Sequence, residues 1–356
     1  MPGHAHVNRI ATAAPPHEGH SAFLRYARAQ LPTERERLIF DRLASRSGIT
    51  SRYSVLKPSV DGLDSVDEEG LYSRGNFAST ARRMSVFERE AASLAEKAIG
   101  KLELSAAEKA SISHLIVTSC TGMYAPGVDW DLTIRCGLNP AVERTAIGFM
   151  GCFAAVSALR LARHIVRSEP SARVLVVNIE LCSLHLQEAH SLEDLLSFLL
   201  FGDGCAASLV SADVEGIALD EFNSVLVPNT QDLITWKVGD FGFEMFLSGR
   251  LPVSLLQGLR QGATQILGES SIDAIRHWAV HPGGSSILNA VESAFELPQA
   301  SLVTARNVLD CYGNMSSASV MFVLRSIMKN AESGDRGCGM SFGPGVTAET
   351  FLFRKV

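Results

Sequence analysis

The sequence predicts an α/β protein built from two related halves, and three internal matches within its 356 residues carry that prediction. Ser113-His114-Leu115-Ile116-Val117-Thr118 is echoed by Arg276-His277-Trp278-Ala279-Val280-His281, at an offset of 277 − 114 = 163. Gly151-Cys152, opening a helical pattern, is echoed by Gly313-Asn314 at 314 − 152 = 162. Phe201-Gly202-Asp203-Gly204, ahead of the apolar run Ala206 to Val210, is echoed by Phe342-Gly343-Pro344-Gly345 ahead of Val346 to Phe353, at 342 − 201 = 141. Three matches in one order describe a unit used twice, the second copy shorter because the first inserts the segment from Glu180 to Leu200. Each copy reads as a strand, a strand-to-helix junction, a helix and a glycine turn into further strands. Runs such as Val174 to Val177 are continuously apolar, as in strands buried on both faces, so sheets and helices are expected in layers. The polar turn Ala212 to Gly216 places the boundary near residue 215, giving halves 1–215 and 216–356.

From the N-terminus, residues 1–16 read as a weakly structured arm and His17 to Gln30 as the first helix. Thr33-Glu34-Arg35-Glu36 has the form of a capping box, in which side chains at both ends of the first turn satisfy its free N–H groups. It opens a helix to Arg46, on which Arg35, Arg42 and Arg46 fall at i, i+7 and i+11 on one face. Ser47 to Ala78, rich in Ser, Asp and Gly, reads as loops. Ser79 to Gly100 is helical, with Ala91, Ala92, Leu94, Ala95 and Ala98 as its apolar face. Thr145 to Met150 reads as a strand and Phe153 to Val166 as a helix, which puts Cys152 at the junction between them.

Composition narrows the function classes. A hydrophobic fraction of 46% with 20% charged residues is that of an ordinary globular chain. No uncharged apolar run is long enough to span a membrane, and the N-terminus lacks the apolar segment of a secretory signal. A cytoplasmic protein is therefore expected. The seven cysteines are scattered and form no CxxC pair, so neither a disulfide framework nor a metal site is expected. A formal net charge of −6 argues against a nucleic-acid partner. An anionic ligand would have to meet a local basic patch.

Chemistry concentrates at the repeat's equivalent positions. At a helix N-terminus, free N–H groups and the helix dipole are expected to lower the Cys152 thiol from about 8.5 toward or below 7. Duplication can bring Cys152 and Asn314 toward a common centre, and His281 stands at a strand end before the Pro282-Gly283-Gly284 turn. An imidazole beside Cys152 would hold it as a thiolate, the attacking form. The Asn314 amide and the imidazole N–H could both donate to a developing oxyanion.

The pieces Gly151-Cys152-Phe153-Ala154, Phe201-Gly202-Asp203-Gly204, His281-Pro282-Gly283-Gly284, Gly313-Asn314-Met315-Ser316-Ser317-Ala318 and Phe342-Gly343-Pro344-Gly345 resemble, in order and spacing from about residue 33 onward, the type III polyketide synthases of the chalcone and stilbene synthase superfamily. The resemblance implies a duplicated thiolase-like fold, layered α-β-α-β-α, in a homodimer. It implies iterative decarboxylative condensation, in which Cys152 accepts a starter from an acyl-CoA while His281 and Asn314 stabilise the enolate left when malonyl-CoA loses CO2. No cofactor beyond these two substrates is implied. Phe201 matches a gatekeeping phenylalanine between the coenzyme A tunnel and the cavity, whereas Met245 stands at the place of a second one. Cys120, Cys182, His185, Trp236 and Ser316 match cavity-lining positions. Arg42 and Arg46 match positions that meet coenzyme A phosphates, a third basic position being Ile39 here.

The altered second gatekeeper favours a resorcinol, phloroglucinol or pyrone product over a chalcone. Three other readings stand beside this one. A single-round 3-ketoacyl synthase of the same fold uses the same three residues. A papain-like hydrolase also runs Cys, His, Asn, and 281 − 152 = 129 is near its spacing, but no C-G-S-C-W signature surrounds Cys152. A non-catalytic acyl-CoA-binding protein would have had no need to keep all three groups.

Overall fold

The computed structural model describes residues 4–60, 63–188 and 191–356. Residues 1–3 of the expected arm and residues 189 and 190 of the inserted segment lie outside the described residues. Nine strands form one mixed sheet: β1 (His6–Ala13), β2 (His114–Ser119), β3 (Glu143–Gly148), β4 (Val174–Leu181), β5 (Asp203–Ser211), β6 (Ile217–Leu226), β7 (His277–Val280), β8 (Arg336–Gly343) and β9 (Thr347–Lys355). Their order is β7-β8-β9-β6-β1-β5-β4-β2-β3. The seam is short: β1 meets β6 through His6↔Ala218 and Val7↔Ile217, while β1 runs along most of β5.

The expected repeat is visible in the pairing pattern. From the seam outward, the first half runs β1, β5, β4, β2 with antiparallel, antiparallel and parallel neighbours. The second runs β6, β9, β8, β7 with the same three relations. Edge strand β3, parallel to β2, has no counterpart strand in the second half. The segment before Gly313-Asn314 is instead α7 (Val303–Tyr312), which buries Ala305, Val308 and Leu309. Those spacings of three and four are helical, so the second junction joins helix to helix and the expectation of a strand there is corrected.

Helices fill three layers. The middle one is α4 (Ala154–Ser168) beside α8 (Ser317–Asn330), each touching strands of both halves. Nine of the fourteen residues of α8 are buried, including Ser317 and Ser319, as befits a helix covered on every side. On the outer faces, α3 (Thr80–Gly100) covers β1, β4 and β5, while α5 (Leu251–Leu267) covers β6 and β9 and pairs with α6 (Ser285–Phe295). Alternate residues of β4 serve two cores: Val174 and Val176 face the inner one, and Leu175, Val177 and Ile179 the outer one. Each such side chain contributes about 1.5–3 kcal/mol on full burial.

The N-terminal arm is a correction. His6–Ala13 is not an arm but the central strand at the seam, and two of its polar residues, Asn8 and Arg9, find partners far away in the chain. Asn8 donates to the carbonyls of Asp213 and Glu215 and accepts from Ser211, and Arg9 pairs with Glu108. His17 and Glu18 pair with Ser54 and Tyr53, so α1 starts three residues later than expected and spans His20–Gln30. The capping box at Thr33 and Glu36 is formed and opens α2 (Glu34–Ala44). Such a cap contributes about 1 kcal/mol.

Candidate active site

Two irregular junctions carry the reactive groups. After β3, Phe149 turns left-handed at φ 56° and Gly151 at φ 75°, and a 3-10 turn, Gly151–Phe153, leads into α4. A left-handed non-glycine residue costs about 1–3 kcal/mol unless its surroundings fix it; the Phe149 ring packs 5.2 Å from that of Phe243. Glycine at 151 is required twice over, since a Cβ there would lie 2.3 Å from Pro344 Cδ. The Phe342-Gly343-Pro344-Gly345 turn of the second half thus closes directly over the junction of Cys152.

On the other side, the Asn314 N–H donates to the Leu200 carbonyl at 2.7 Å, and the Gly202 N–H donates to the Asn314 carbonyl at 3.0 Å. Its side-chain Oδ1 accepts from the Ser316 N–H at 2.9 Å, which fixes the amide orientation and turns Nδ2 toward Gly283. Ser316 is itself left-handed at φ 47°. His281 follows β7, its N–H donating to the Met340 carbonyl at 2.8 Å. Both of its ring nitrogens are buried without a hydrogen-bond partner.

Cys152, His281 and Asn314 converge on one cavity of about 530 Å³. Phe201, Met245, Cys120, Cys182, His185, Trp236 and Ser316, all singled out in the sequence, line it as well. Arg46 lines it too, exposed in the turn after α2, which ends at Ala44 and not at Arg46 as expected. Arg42, one turn earlier, is exposed and does not reach the cavity wall. Met245 faces the cavity from the hairpin Ile234–Gly239 and Gly242–Leu247, in register with Trp236.

One wall is a hydrogen-bonded aromatic stack. The Trp236 indole donates to the Cys120 carbonyl at 2.7 Å, and His185 stacks on Phe243 at 4.2 Å. The Phe243 N–H donates to His185 Nδ1, so the proton is on Nε2 and goes to the Thr121 carbonyl at 2.6 Å. With both nitrogens engaged, His185 shapes the wall and is not a free base. Burial pushes it down to about 3.

The expected low-pKa thiol is corrected. Burial pushes the Cys152 thiol up to about 12, against the opposing pull of hydrogen bonds from Ser316 and Asn314, with the charge of Glu180 adding to the rise. Burial likewise pushes His281 down to about 3. The helix terminus does not outweigh the loss of water, so the free cavity holds a neutral thiol and a neutral imidazole.

Glu180 was not singled out from the sequence, although a carboxylate inside an apolar strand was the available signal. It is fully buried and accepts from Ser317 Oγ at 2.6 Å, Thr121 Oγ1 at 2.8 Å and the Cys120 N–H at 3.0 Å. Burial raises it to about 7 despite these donors. It ties α8 to β4 and to the loop carrying Cys120, whose sulfur accepts from the Gly151 N–H at 3.0 Å.

Comparisons with known proteins agree with this architecture. Residues 3–214 match the family model of the chalcone and stilbene synthases, N-terminal domain, and residues 219–356 that of the C-terminal domain. The chain belongs to this family, the type III polyketide synthases, and shares their acyltransferase class. It is 35% identical over 338 residues to the α-pyrone synthesis polyketide synthase-like Pks18 of Mycobacterium tuberculosis, covering 90% of this chain and 83% of the relative. Among solved structures it resembles PKS-I of the brown alga Ectocarpus siliculosus, with a TM-score of 0.88, 28% identity and coverage of 100% and 99% of the two chains. The fold is shared also with the C-terminal type III domain of Steely1, a type I/III hybrid from Dictyostelium, at a TM-score of 0.88, 23% identity and 99% coverage of each chain. The thiolase-like architecture expected from the sequence is the one observed.

Proposed function

We propose that this synthase loads a starter acyl group from coenzyme A onto Cys152, extends it repeatedly with malonyl-CoA and releases a cyclised pyrone, resorcinol or phloroglucinol product. The observation that carries the reading is the convergence on one apolar cavity of a half-buried thiol, an imidazole with two unpartnered nitrogens and an oriented amide donor. In loading, Cys152 sulfur attacks the thioester carbonyl as its proton passes to His281; the bond to coenzyme A sulfur breaks, and the leaving thiolate takes that proton back. In extension, the malonyl C–C bond to the carboxylate breaks, CO2 departs and the electron pair becomes a thioester enolate. A neutral imidazole, the form that burial favours, donates one hydrogen bond to the enolate oxygen, and Asn314 Nδ2 donates another. The enolate carbon then attacks the acyl carbonyl and returns Cys152 as the leaving group. Exclusion of water from the cavity protects the carbanion from protonation.

Substrate access and assembly follow from the surface. The exposed Arg42 and Arg46, the second of which lines the cavity, suit the phosphates of coenzyme A. Phe201, half-buried in the wall, stands where an acyl chain would pass inward. Met245 in place of an aromatic gate leaves a more pliable wall, and the relative's α-pyrone designation points to a pyrone among the candidate products. The unpaired side of edge strand β3, with exposed Met123, Trp130, Ile134 and Met150 nearby, suits a homodimer interface. The halves 1–215 and 216–356 would act as one rigid unit around the shared cavity. Seven free cysteines suit the reducing cytoplasm. The test is incubation with malonyl-CoA alone and with a panel of aromatic and fatty acyl-CoA starters, with products identified by mass. Multiply extended, cyclised products are expected; a linear product of one extension would replace this reading with that of a ketoacyl synthase.

A further inference from the structure

Arg52 takes no part in the steps above, yet it is a cation with 8% of its surface exposed. Its guanidinium lies 4.4 Å over the Phe23 ring, and Nε donates to His20 Nδ1 at 3.2 Å. Nη1 donates to two carbonyls of the gate segment, Phe198 at 2.7 Å and Phe201 at 2.5 Å. Burial disfavours this charge, and Asp203 and Glu18 favour it only from a distance; the Asp203 oxygens accept instead from Ser183 and the Val55 N–H. The cation is therefore held chiefly by backbone carbonyls.

The surroundings show what this grip controls. Phe201 and Asn314 form a parallel bridge, closed by the Asn314 and Gly202 N–H groups. The stem of Arg52 lies against both strands of that bridge: a Cβ on Gly202 would sit 3.2 Å from Arg52 Cβ, and one on Gly313 3.4 Å from it. Its chain neighbours hold the other side. The N–H groups of Thr50 and Ser51 donate to the Asp310 carbonyl, each at 3.0 Å, and Ser51 Oγ donates to the Cys311 carbonyl at 2.8 Å, just before Gly313.

We infer that Arg52 is a positioning residue, which spans the Phe201–Asn314 bridge and so aims the Asn314 amide into the cavity. A planar guanidinium can donate to two carbonyls in fixed directions, whereas a lysine ammonium supplies the same charge without the plane. This rests on the proposed role of Asn314 in the malonyl step. It predicts that the step needing the amide is impaired while the sulfur, which is set by the junction after β3, keeps its reactivity.

The test compares Arg52→Lys and Arg52→Met with the native full-length chain. The expected result is a fall in kcat for malonyl-CoA decarboxylation on the order of 10²-fold, with KM and Cys152 alkylation by iodoacetamide each within about threefold of native. Amide hydrogen exchange is expected to speed up at Gly202 and Asn314 in both variants and to stay unchanged over residues 150–154. Native-like decarboxylation in a folded variant would overturn the inference. So would equal losses of decarboxylation and alkylation, which mark general disruption. Should the native chain not consume malonyl-CoA, the functional reading fails, and the exchange pattern still decides whether Arg52 holds the bridge.

Discussion

Replacing Glu180 by Gln removes a buried charge while leaving hydrogen-bond partners for the amide. The amide oxygen can accept from the Cys120 N–H and Thr121 Oγ1, and the amide nitrogen can donate to Ser317 Oγ, which then donates onward to Thr118 Oγ1 at 3.2 Å. The carboxyl is raised from 4.5 to about 7 in the folded protein. Between those values the folded state keeps a proton that the unfolded state has released, so this group's contribution to stability falls as pH rises through the window. At about 1.36 kcal/mol per pKa unit, the cost between pH 5 and pH 8 is about 2–3 kcal/mol. Glutamine does not titrate and escapes it. Urea unfolding of both proteins at fixed concentration should therefore show the stability of Glu180→Gln, relative to the native protein, rising by about 2–3 kcal/mol between pH 5 and pH 8. Asp203 and the buried histidines titrate in both proteins and cancel. The lost negative charge should also bring the Cys152 thiol down, so iodoacetamide alkylation at pH 8 should be faster. A stability difference that does not change with pH would refute the reasoning, because Glu180 would then ionise as easily in the fold as outside it.

Three further outcomes are expected. Because burial pushes the Cys152 thiol up to about 12, its alkylation rate in the free enzyme should climb through pH 9; a plateau near pH 7 would show a preformed thiolate. Gly151→Ala should lower stability by more than about 2 kcal/mol, from left-handed strain and overlap with Pro344, and calorimetric melting checks it. Arg46→Ala should raise KM for coenzyme A thioesters about tenfold, more than Arg42→Ala does, since Arg46 lines the cavity. Steady-state kinetics with an N-acetylcysteamine thioester, which lacks the phosphates, should show no such difference.

Much of the site was legible in the sequence because chemistry and chain turns coincide there. Cys152 and Asn314 stand beside glycines at junctions, and His281 stands before a Pro-Gly-Gly turn; a repeated unit carries all three to one centre. Helices with a local signature were equally legible, as the capping box of α2 and the apolar face of α3 show. What escaped depends on long-range partners. Strand β1 reads as polar because His6, Asn8 and Arg9 interrupt it, yet the partners of Asn8 and Arg9 lie about one hundred to two hundred residues away in the chain. The junction at Gly313-Asn314 reads as strand-to-helix by analogy with the first half, although the spacing of Ala305, Val308 and Leu309 before it is helical. The Cys152 thiol was misjudged because a helix terminus is a local feature, whereas desolvation comes from walls supplied by both halves. Glu180 and Arg52 escaped for the same reason, their hydrogen bonds all being made across the fold.

The central claim is that Cys152 carries the growing chain. Its most direct test is intact-protein mass spectrometry with peptide mapping, after the native chain and Cys152→Ala have each been exposed to a starter acyl-CoA that supports product formation. One acyl group on the Cys152 peptide of the native chain, and none on the variant, is the predicted result. Turnover with acylation at another cysteine, such as the exposed Cys311, or turnover retained by Cys152→Ala, would contradict the account.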